Sequence, residues 1–161
     1  MNSQSTEAHS VEVVQNGLVT VIKGQKGAGK TTCLLRLFHA HPQGIGFWSR
    51  KDWAGEDLVG YTLVDIVTGE SRVLCLRADL PAALLPHDFQ GSIVQGRFLF
   101  DQHVFDWAAA RIFKALRPEK IWLDEVGNIE QRGGGFAPVI EYARKNNIPL
   151  VMTRREAHGL S

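Results

Sequence analysis

The chain has 161 residues, of which 44% are hydrophobic and 22% charged, and 18 Lys and Arg against 17 Asp and Glu give a net charge of +1. This composition is typical of a folded domain with its own core and excludes global disorder. The near-neutral charge gives no sign of a nucleic-acid partner. No apolar run reaches the ~18 residues of a membrane span, and residues 1–10 contain no secretory signal. Cys33 and Cys75 form no C-x-x-C pair, so we expect reduced thiols and a cytoplasmic protein.

In chain order, the pattern predicts a disordered leader over residues 1–10 and a single domain over residues 11–161. The predicted elements are an N-terminal hairpin, or one strand leading into the next (11–14 and 18–24), a helix (29–40), a strand (44–49), a second hairpin (59–66 and 71–77), a helix (102–117), a strand (120–124), a helix (136–145) and a strand (148–153). Because helices follow strands, we expect a three-layer α/β fold. Its central sheet is predicted to be mostly parallel, with an added antiparallel hairpin.

The most specific pattern is GQKGAGKT, from Gly24 to Thr31, which fits G-x-x-x-x-G-K-[ST] without a mismatch and lies between a predicted strand and a predicted helix. Glycines let backbone N–H groups surround a phosphate, and the helix N-terminus adds partial positive charge. Lys30 can reach the β- and γ-phosphates, and the Thr31 hydroxyl can bind Mg²⁺. The predicted nucleotide-binding residues are Gly24, Gly27, Ala28, Gly29, Lys30, Thr31 and Thr32, with Thr32 on the α-phosphate side.

Two acids, Asp124 and Glu125, directly follow the apolar run over 121–123. A carboxylate at the end of a buried strand is costly without a function, and ligands bind at the carboxyl ends of parallel strands. We predict that Asp124 and Thr31 hold Mg²⁺, and that Glu125 activates a water as general base. Lys30 and Glu125 are therefore the predicted catalytic residues. The alternative for the two acids is a solvated turn.

Two pairs of basic residues also follow predicted strands. Arg154 and Arg155 follow the last strand, and Arg50 and Lys51 follow the strand over 44–49. Either pair can reach the nucleotide and stabilise charge on its phosphates. The alternative for both pairs is a solvated strand end.

These segments resemble the small P-loop nucleoside-triphosphatases, the thermophile-type and cancer-related nucleoside-triphosphatase family. The likeness covers roughly residues 18–153 and is carried by the loop over 24–32, by Gly46-Phe47-Trp48-Ser49, by the hairpin over 59–70, and by Leu123-Asp124-Glu125-Val126-Gly127-Asn128-Ile129-Glu130. The resemblance implies a RecA-like sheet in a single P-loop NTPase domain. It also implies Mg²⁺-dependent hydrolysis of ATP, GTP and other nucleoside triphosphates to the diphosphate and phosphate.

The chain departs from this family at two positions within the likeness and at its end. Lys51 stands where the family commonly has an acid, and Asn128 stands where a Lys is common. The family also continues past its last strand with another strand–helix unit. Two alternative functions stay open: a nucleotide-dependent transferase, either a kinase or a corrinoid adenosyltransferase, and a nucleotide-gated binding module without turnover. The second alternative implies a protein partner or a homo-oligomer.

Overall fold

The computed structural model describes residues 10–156, so the predicted leader lies outside the described residues except for Ser10. Within this range the elements are β1 (Val11–Asn16), β2 (Val19–Gly24), α1 (Lys30–Ala40), β3 (Ile45–Ala54), β4 (Asp57–Asp65), β5 (Ser71–Arg77), a short 3₁₀ turn (Ala82–Leu84), β6 (Ile93–Gln95), β7 (Phe98–Phe100), α2 (Gln102–Lys114), β8 (Ile121–Leu123), α3 (Asn128–Gln131), α4 (Ala137–Lys145) and β9 (Leu150–Arg155). No helix of residues 10–156 is long and apolar enough to cross a membrane.

One nine-stranded sheet contains all the strands of the described range, in the order β1-β2-β9-β8-β3-β4-β5-β7-β6. Its four central strands, β2, β9, β8 and β3, are mutually parallel. The remaining pairs, from β1 to β2 and from β3 through β6, are antiparallel. The predicted parallel centre is therefore confirmed.

The antiparallel part is larger than the single added hairpin that the sequence predicted. The strand predicted over 44–49 continues to Ala54, and the chain then reverses at Gly55, which has φ +64°. A turn that needs positive φ favours glycine, but the flanking residues Trp53 and Glu56 do not show the alternation of a half-buried strand. The β3–β4 hairpin was therefore not predicted.

The three predicted layers are confirmed, because the side chains of β8 pack against helices on both faces of the sheet. Ile121 and Leu123 face a core cluster built with α2 and α4, whereas Trp122 faces a second cluster built with Leu34 and Phe38 of α1. Alternation of this kind follows from the two-residue period of a strand. Because both faces of the strand are covered by helices, all three of its residues are apolar.

The second long helix, α2, ends earlier than its apolar pattern predicts. The predicted helix ran to 117, but α2 ends at Lys114 and Ala115 is already extended. Pro118 disfavours helical geometry at the residue before it, and Arg117 has φ +51°. Leu116, the last member of the predicted apolar stripe, is 96% exposed, so it does not extend the core.

The contact between β3 and β8 depends on a glycine. Gly46 lies opposite Trp122, and a Cβ atom at Gly46 would lie 2.2 Å from the Trp122 carbonyl oxygen. Since that neighbour is backbone, it cannot rotate away. The close approach sets the position of β3 relative to β8, and hence of the residues that follow both strands.

We expect Gly46→Ala to lower the free energy of unfolding by about 1–3 kcal/mol, because the added methyl group forces the two strands apart. Urea unfolding followed by circular dichroism measures the change. Gly127→Ala is the matched control, because no atom lies within 4 Å of a Cβ there. Equal stability of the two variants would contradict the close approach.

Candidate active site

Four parallel strands bring their carboxyl ends to one edge of the sheet, where they surround a cleft of about 1110 Å³. The phosphate-binding loop follows β2, and Asp124 and Glu125 follow β8. Ser49 and Lys51 lie on β3, and Arg154 and Arg155 end β9. All of these groups line the cleft. Residues that are far apart in the chain thus meet because their strands run in the same direction.

The loop between β2 and α1 has the backbone of a phosphate cradle. Gly27 and Gly29 have φ +79° and +98°, which other residues rarely adopt. No side chain caps the N-terminus of α1 and no acid occurs in its first turn, so its amide groups stay available for an anion. The Lys30 ammonium donates a 2.9 Å hydrogen bond to the Gln25 carbonyl oxygen, which holds the lysine over the loop.

The predicted nucleotide-binding residues divide into two groups. Gly27, Gly29, Lys30, Thr31 and Thr32 line the cleft. Gly24 is the last residue of β2 and lies beneath the loop, where a Cβ would meet Ala28 Cβ at 3.2 Å. Ala28 lines a second, smaller depression on the other side of the loop.

Asp124 is the centre of a buried hydrogen-bond network. Its Oδ2 atom accepts a 2.8 Å bond from the Thr31 hydroxyl and a 2.9 Å bond from the Ser49 backbone N–H. Its Oδ1 atom accepts a 2.5 Å bond from the Thr153 hydroxyl. Burial raises the pKa of Asp124, and the three donors lower it because they favour the charged form. The predicted metal residues Thr31 and Asp124 are therefore in direct contact.

Glu125 follows the buried Asp124 directly but is exposed and lines the cleft. Its backbone has φ +59°, a conformation that costs a non-glycine residue about 1–3 kcal/mol. The Glu125 N–H donates a 2.7 Å bond to the Thr153 hydroxyl, which holds this turn in place. Desolvation by the cleft walls and the charge of Asp124 raise the pKa of Glu125, and the positive charges of Lys30, Lys51 and Arg155 lower it.

The pKa of Lys30 is shifted in the opposite direction, since it is lowered. Burial lowers the pKa of its ammonium, and the positive charge of Arg155 adds to that effect. The nearby carboxylates of Glu125 and Asp124 raise it. A buried ammonium group with further cations nearby favours an anionic ligand, because a phosphate offsets both its desolvation and the repulsion from Arg155.

Of the two basic pairs that the sequence predicted near the nucleotide, three residues line the cleft and one does not. Lys51, Arg154 and Arg155 line the cleft. Arg50 does not line it: its side chain is 52% exposed and lies 3.4 Å from the Asp52 carboxylate. Successive β3 residues point to opposite faces, so Lys51 shares the side of Ser49 and Arg50 does not.

The segment after β8 is fixed by Glu130. Its carboxylate accepts a 2.8 Å bond from Gly127 N–H and a 2.9 Å bond from Phe136 N–H. Gly135 has φ +55°, and a Cβ there would lie 2.3 Å from Glu130 Oε2. This side chain therefore closes the segment over 127–136 into a compact loop along the cleft.

Sequence reasoning missed the roles of Ser49 and Thr153. Ser49 occurs in the segment that carried the family resemblance, but the sequence assigned it no contact. Thr153 ends an apolar run, and a polar residue at that point was the available signal. Its partners lie 28 and 29 residues away in the chain, so only the strand order shows the contact.

The oxygen atoms around Asp124 fit a magnesium ion. Ser49 Oγ is buried and, in the described part of the chain, is the one such side-chain atom without a hydrogen-bond partner. It belongs to the residue whose N–H binds Asp124. Between residues 10 and 156 no three His, Cys, Asp or Glu side chains cluster as metal ligands. Mg²⁺ needs few protein ligands because it retains waters and binds substrate phosphates, so a carboxylate and hydroxyl groups are a suitable set.

A family model described as NTPase matches residues 19–160. The chain belongs to the NTPase family. This result confirms the family resemblance and the predicted enzyme class. Among curated proteins, nucleoside-triphosphatase THEP1 of Natranaerobius thermophilus is 24% identical over 134 residues, which cover 83% of this NTPase-family chain and 72% of that protein.

Two solved structures share the fold of this NTPase-family chain. The solution structure of a human cancer-related nucleoside triphosphatase has a TM-score of 0.61 at 17% identity, over 91% of this chain and 79% of that one. The crystal structure of THEP1 from the hyperthermophile Aquifex aeolicus has a TM-score of 0.56 at 18% identity, over 86% and 76%. At these identities the comparison supports the fold, and the predicted P-loop NTPase architecture is confirmed.

We expect Thr153→Val to lower the free energy of unfolding by about 1–3 kcal/mol, because it leaves Glu125 N–H without its acceptor and Asp124 without a donor. Thr153→Ser keeps the hydroxyl and loses one methyl group, at a cost of about 0.8 kcal/mol. Denaturant unfolding of both variants measures the difference. A Val variant more stable than the Ser variant would show that the hydroxyl bonds contribute little.

Proposed function

We propose that the cleft hydrolyses a nucleoside triphosphate to the diphosphate and phosphate in a Mg²⁺-dependent reaction. The observation that carries this proposal is the direct contact of Thr31 with Asp124, 93 residues apart. It joins a phosphate-binding loop to an acidic strand end in one water-accessible cleft. Membership of the NTPase family and the names of its relatives support the same reaction.

Binding of the triphosphate is assigned to the loop and its lysine. The free amide groups at the start of α1 and the Lys30 ammonium bind the β- and γ-phosphates. Arg155 and Lys51, which line the same cleft, add positive charge around the transferred group. Such charges stabilise the charge that builds up on the leaving oxygen and the phosphoryl oxygens.

Thr31 and Asp124 are the residues that would hold Mg²⁺, with Ser49 Oγ beside them. When bound, the ion neutralises phosphate charge and fixes the orientation of the triphosphate. The chain's own contribution is to hold the Asp124 carboxylate in place. The Ser49 N–H and the Thr153 hydroxyl do this, and both favour the charged form of the carboxylate against the effect of burial.

Glu125 is the proposed general base. Its carboxylate points into the cleft, whereas the adjacent Asp124 is buried in the network below. A raised pKa makes Glu125 a stronger base than an ordinary glutamate, and the positive charges of Lys30, Lys51 and Arg155 favour its ionised form. It accepts the proton of the water that attacks the γ-phosphate.

We expect Lys30→Ala and Glu125→Gln each to lower the rate of phosphate release from ATP by roughly 10²-fold or more. Release measured without any acceptor separates hydrolysis from transfer, and both alternative functions predict none. Lys145→Ala and Glu56→Gln, at exposed positions outside the cleft, control for the change of charge. Wild-type activity in Glu125→Gln would remove Glu125 from the mechanism.

We expect Thr31→Val to raise the Mg²⁺ concentration that gives the half-maximal rate by about tenfold or more, because the hydroxyl ligand is lost. Thr31→Ser keeps the hydroxyl and should need nearly the wild-type concentration. Magnesium titrations of phosphate release at fixed ATP give both values. If Val and Ser variants have the same magnesium requirement, Thr31 does not bind the ion.

A further inference from the structure

We propose that the nucleoside part of the bound triphosphate lies in the second depression, between β1 and α1, with its base against Val11 and Val13. This inference rests on the proposed function, because it extends the same ligand away from its phosphates. It gives a binding role to β1, which lies outside the residues 19–160 matched by the family model.

The second depression lies directly beside the phosphate-binding loop. Its volume is about 460 Å³, within the ~300–1,000 Å³ of small-molecule sites. It is lined by Val11, Val13, Ala28, Thr32, Cys33 and Arg36, together with Gly29. One wall is therefore aliphatic and comes from β1, and the other is polar and comes from α1.

The two depressions adjoin each other at the start of α1, where they share lining residues. Gly29 and Thr32 line both of them. Lys30 and Thr31 are directed towards the acids, which mark the γ-phosphate end of the ligand. A triphosphate bound in this direction has its α-phosphate near Thr32. The nucleoside must continue from there, and the second depression begins at the same residue.

The strand register places the two valines on this side of the sheet. In the antiparallel pair, Val11 lies opposite Gly24 and Val13 lies opposite Ile22. Opposed residues point to the same face of a sheet, and Ile22 packs against Leu34 and Phe38 of α1. Val13 nevertheless remains 49% exposed. An apolar side chain that is open to solvent beside a phosphate loop suits the face of a planar base.

The α1 wall offers groups that suit the rest of a nucleoside. Thr32 and Arg36 are four residues apart and so lie one above the other on the helix, with Cys33 beside them. Arg36 forms no ion pair with any residue from 10 to 156. A guanidinium group stacks on planar aromatic faces, and the Thr32 hydroxyl can bond a ribose or an α-phosphate oxygen. The ligand class is therefore a planar heterocycle on a sugar phosphate.

Cys33 provides a direct test of occupancy. Cys33 is partly accessible, whereas Cys75 is buried and burial raises the pKa of its thiol to about 12. Alkylation of the native protein by iodoacetamide therefore reports on Cys33. The experiment uses the Glu125→Gln variant with Mg²⁺, and compares saturating ATP with saturating inorganic tripolyphosphate. We expect ATP to slow alkylation several-fold more than tripolyphosphate does. Equal protection by the two ligands would overturn the proposal.

A pair of variants tests the valine wall. Val13→Glu places a charge in the depression, and Val14→Glu places the same charge one residue on, on the opposite face of β1. We expect Val13→Glu to raise the KM for ATP by about tenfold relative to the inhibition constant of tripolyphosphate, and Val14→Glu to leave that ratio unchanged. Dividing the KM for ATP by the inhibition constant of tripolyphosphate corrects for repulsion between the new charge and the phosphates, which affects both ligands.

The two proposals fail in different ways. If the wild type releases no phosphate from ATP, the proposed function is wrong, and the Cys33 experiment still shows whether the nucleoside lies between β1 and α1. Suppose instead that ATP is hydrolysed, but Val13→Glu and Val14→Glu change the ratio of the KM for ATP to the inhibition constant of tripolyphosphate equally, or not at all. The nucleoside then lies elsewhere. In that case the hydrolase assignment stands and the β1 proposal is overturned.

Discussion

A single buried carboxylate, that of Asp124, holds the site together. It is 1% exposed, so its charge would be expensive without donors. Those donors come from the start of α1, from β3 and from β9. The network therefore forms only when three parallel strands and the phosphate loop are in register. The contacts that join these strands at this edge of the sheet are therefore also the contacts that shape the cleft.

The network also separates two adjacent acids into different environments. The Thr153 hydroxyl donates to Asp124 and accepts from the Glu125 N–H, so it fixes the side chain of one acid and the backbone of the next. Glu125 adopts a positive φ at this point and its carboxylate turns out into the cleft. The Asp124 carboxylate is buried and held by hydrogen bonds, whereas the Glu125 side chain is in contact with solvent. Neighbours in sequence thus lie in different environments.

Much of this site could be predicted from local sequence. Lys30 and Thr31 lie in a continuous eight-residue pattern, and Asp124 follows a short apolar run, so both signals are readable without knowledge of the fold. Thr153 and Ser49 were not predicted, because their contacts join positions 29 and 75 residues apart from Asp124. The parallel centre followed from alternating strands and helices. The β4–β5 hairpin was also predicted. The rest of the antiparallel extension was not, because strands β6 and β7 have only three residues each.

The most direct test of this account is the rate of phosphate release from ATP by the wild type and by Asp124→Asn, measured across a range of Mg²⁺ concentrations. The asparagine side chain keeps the shape of the carboxylate and removes its charge. If Asp124 organises the site as described, the wild type requires Mg²⁺, and the variant loses activity by roughly 10²-fold or more even at high Mg²⁺. A variant that hydrolyses ATP at the wild-type rate at low Mg²⁺ would contradict the account.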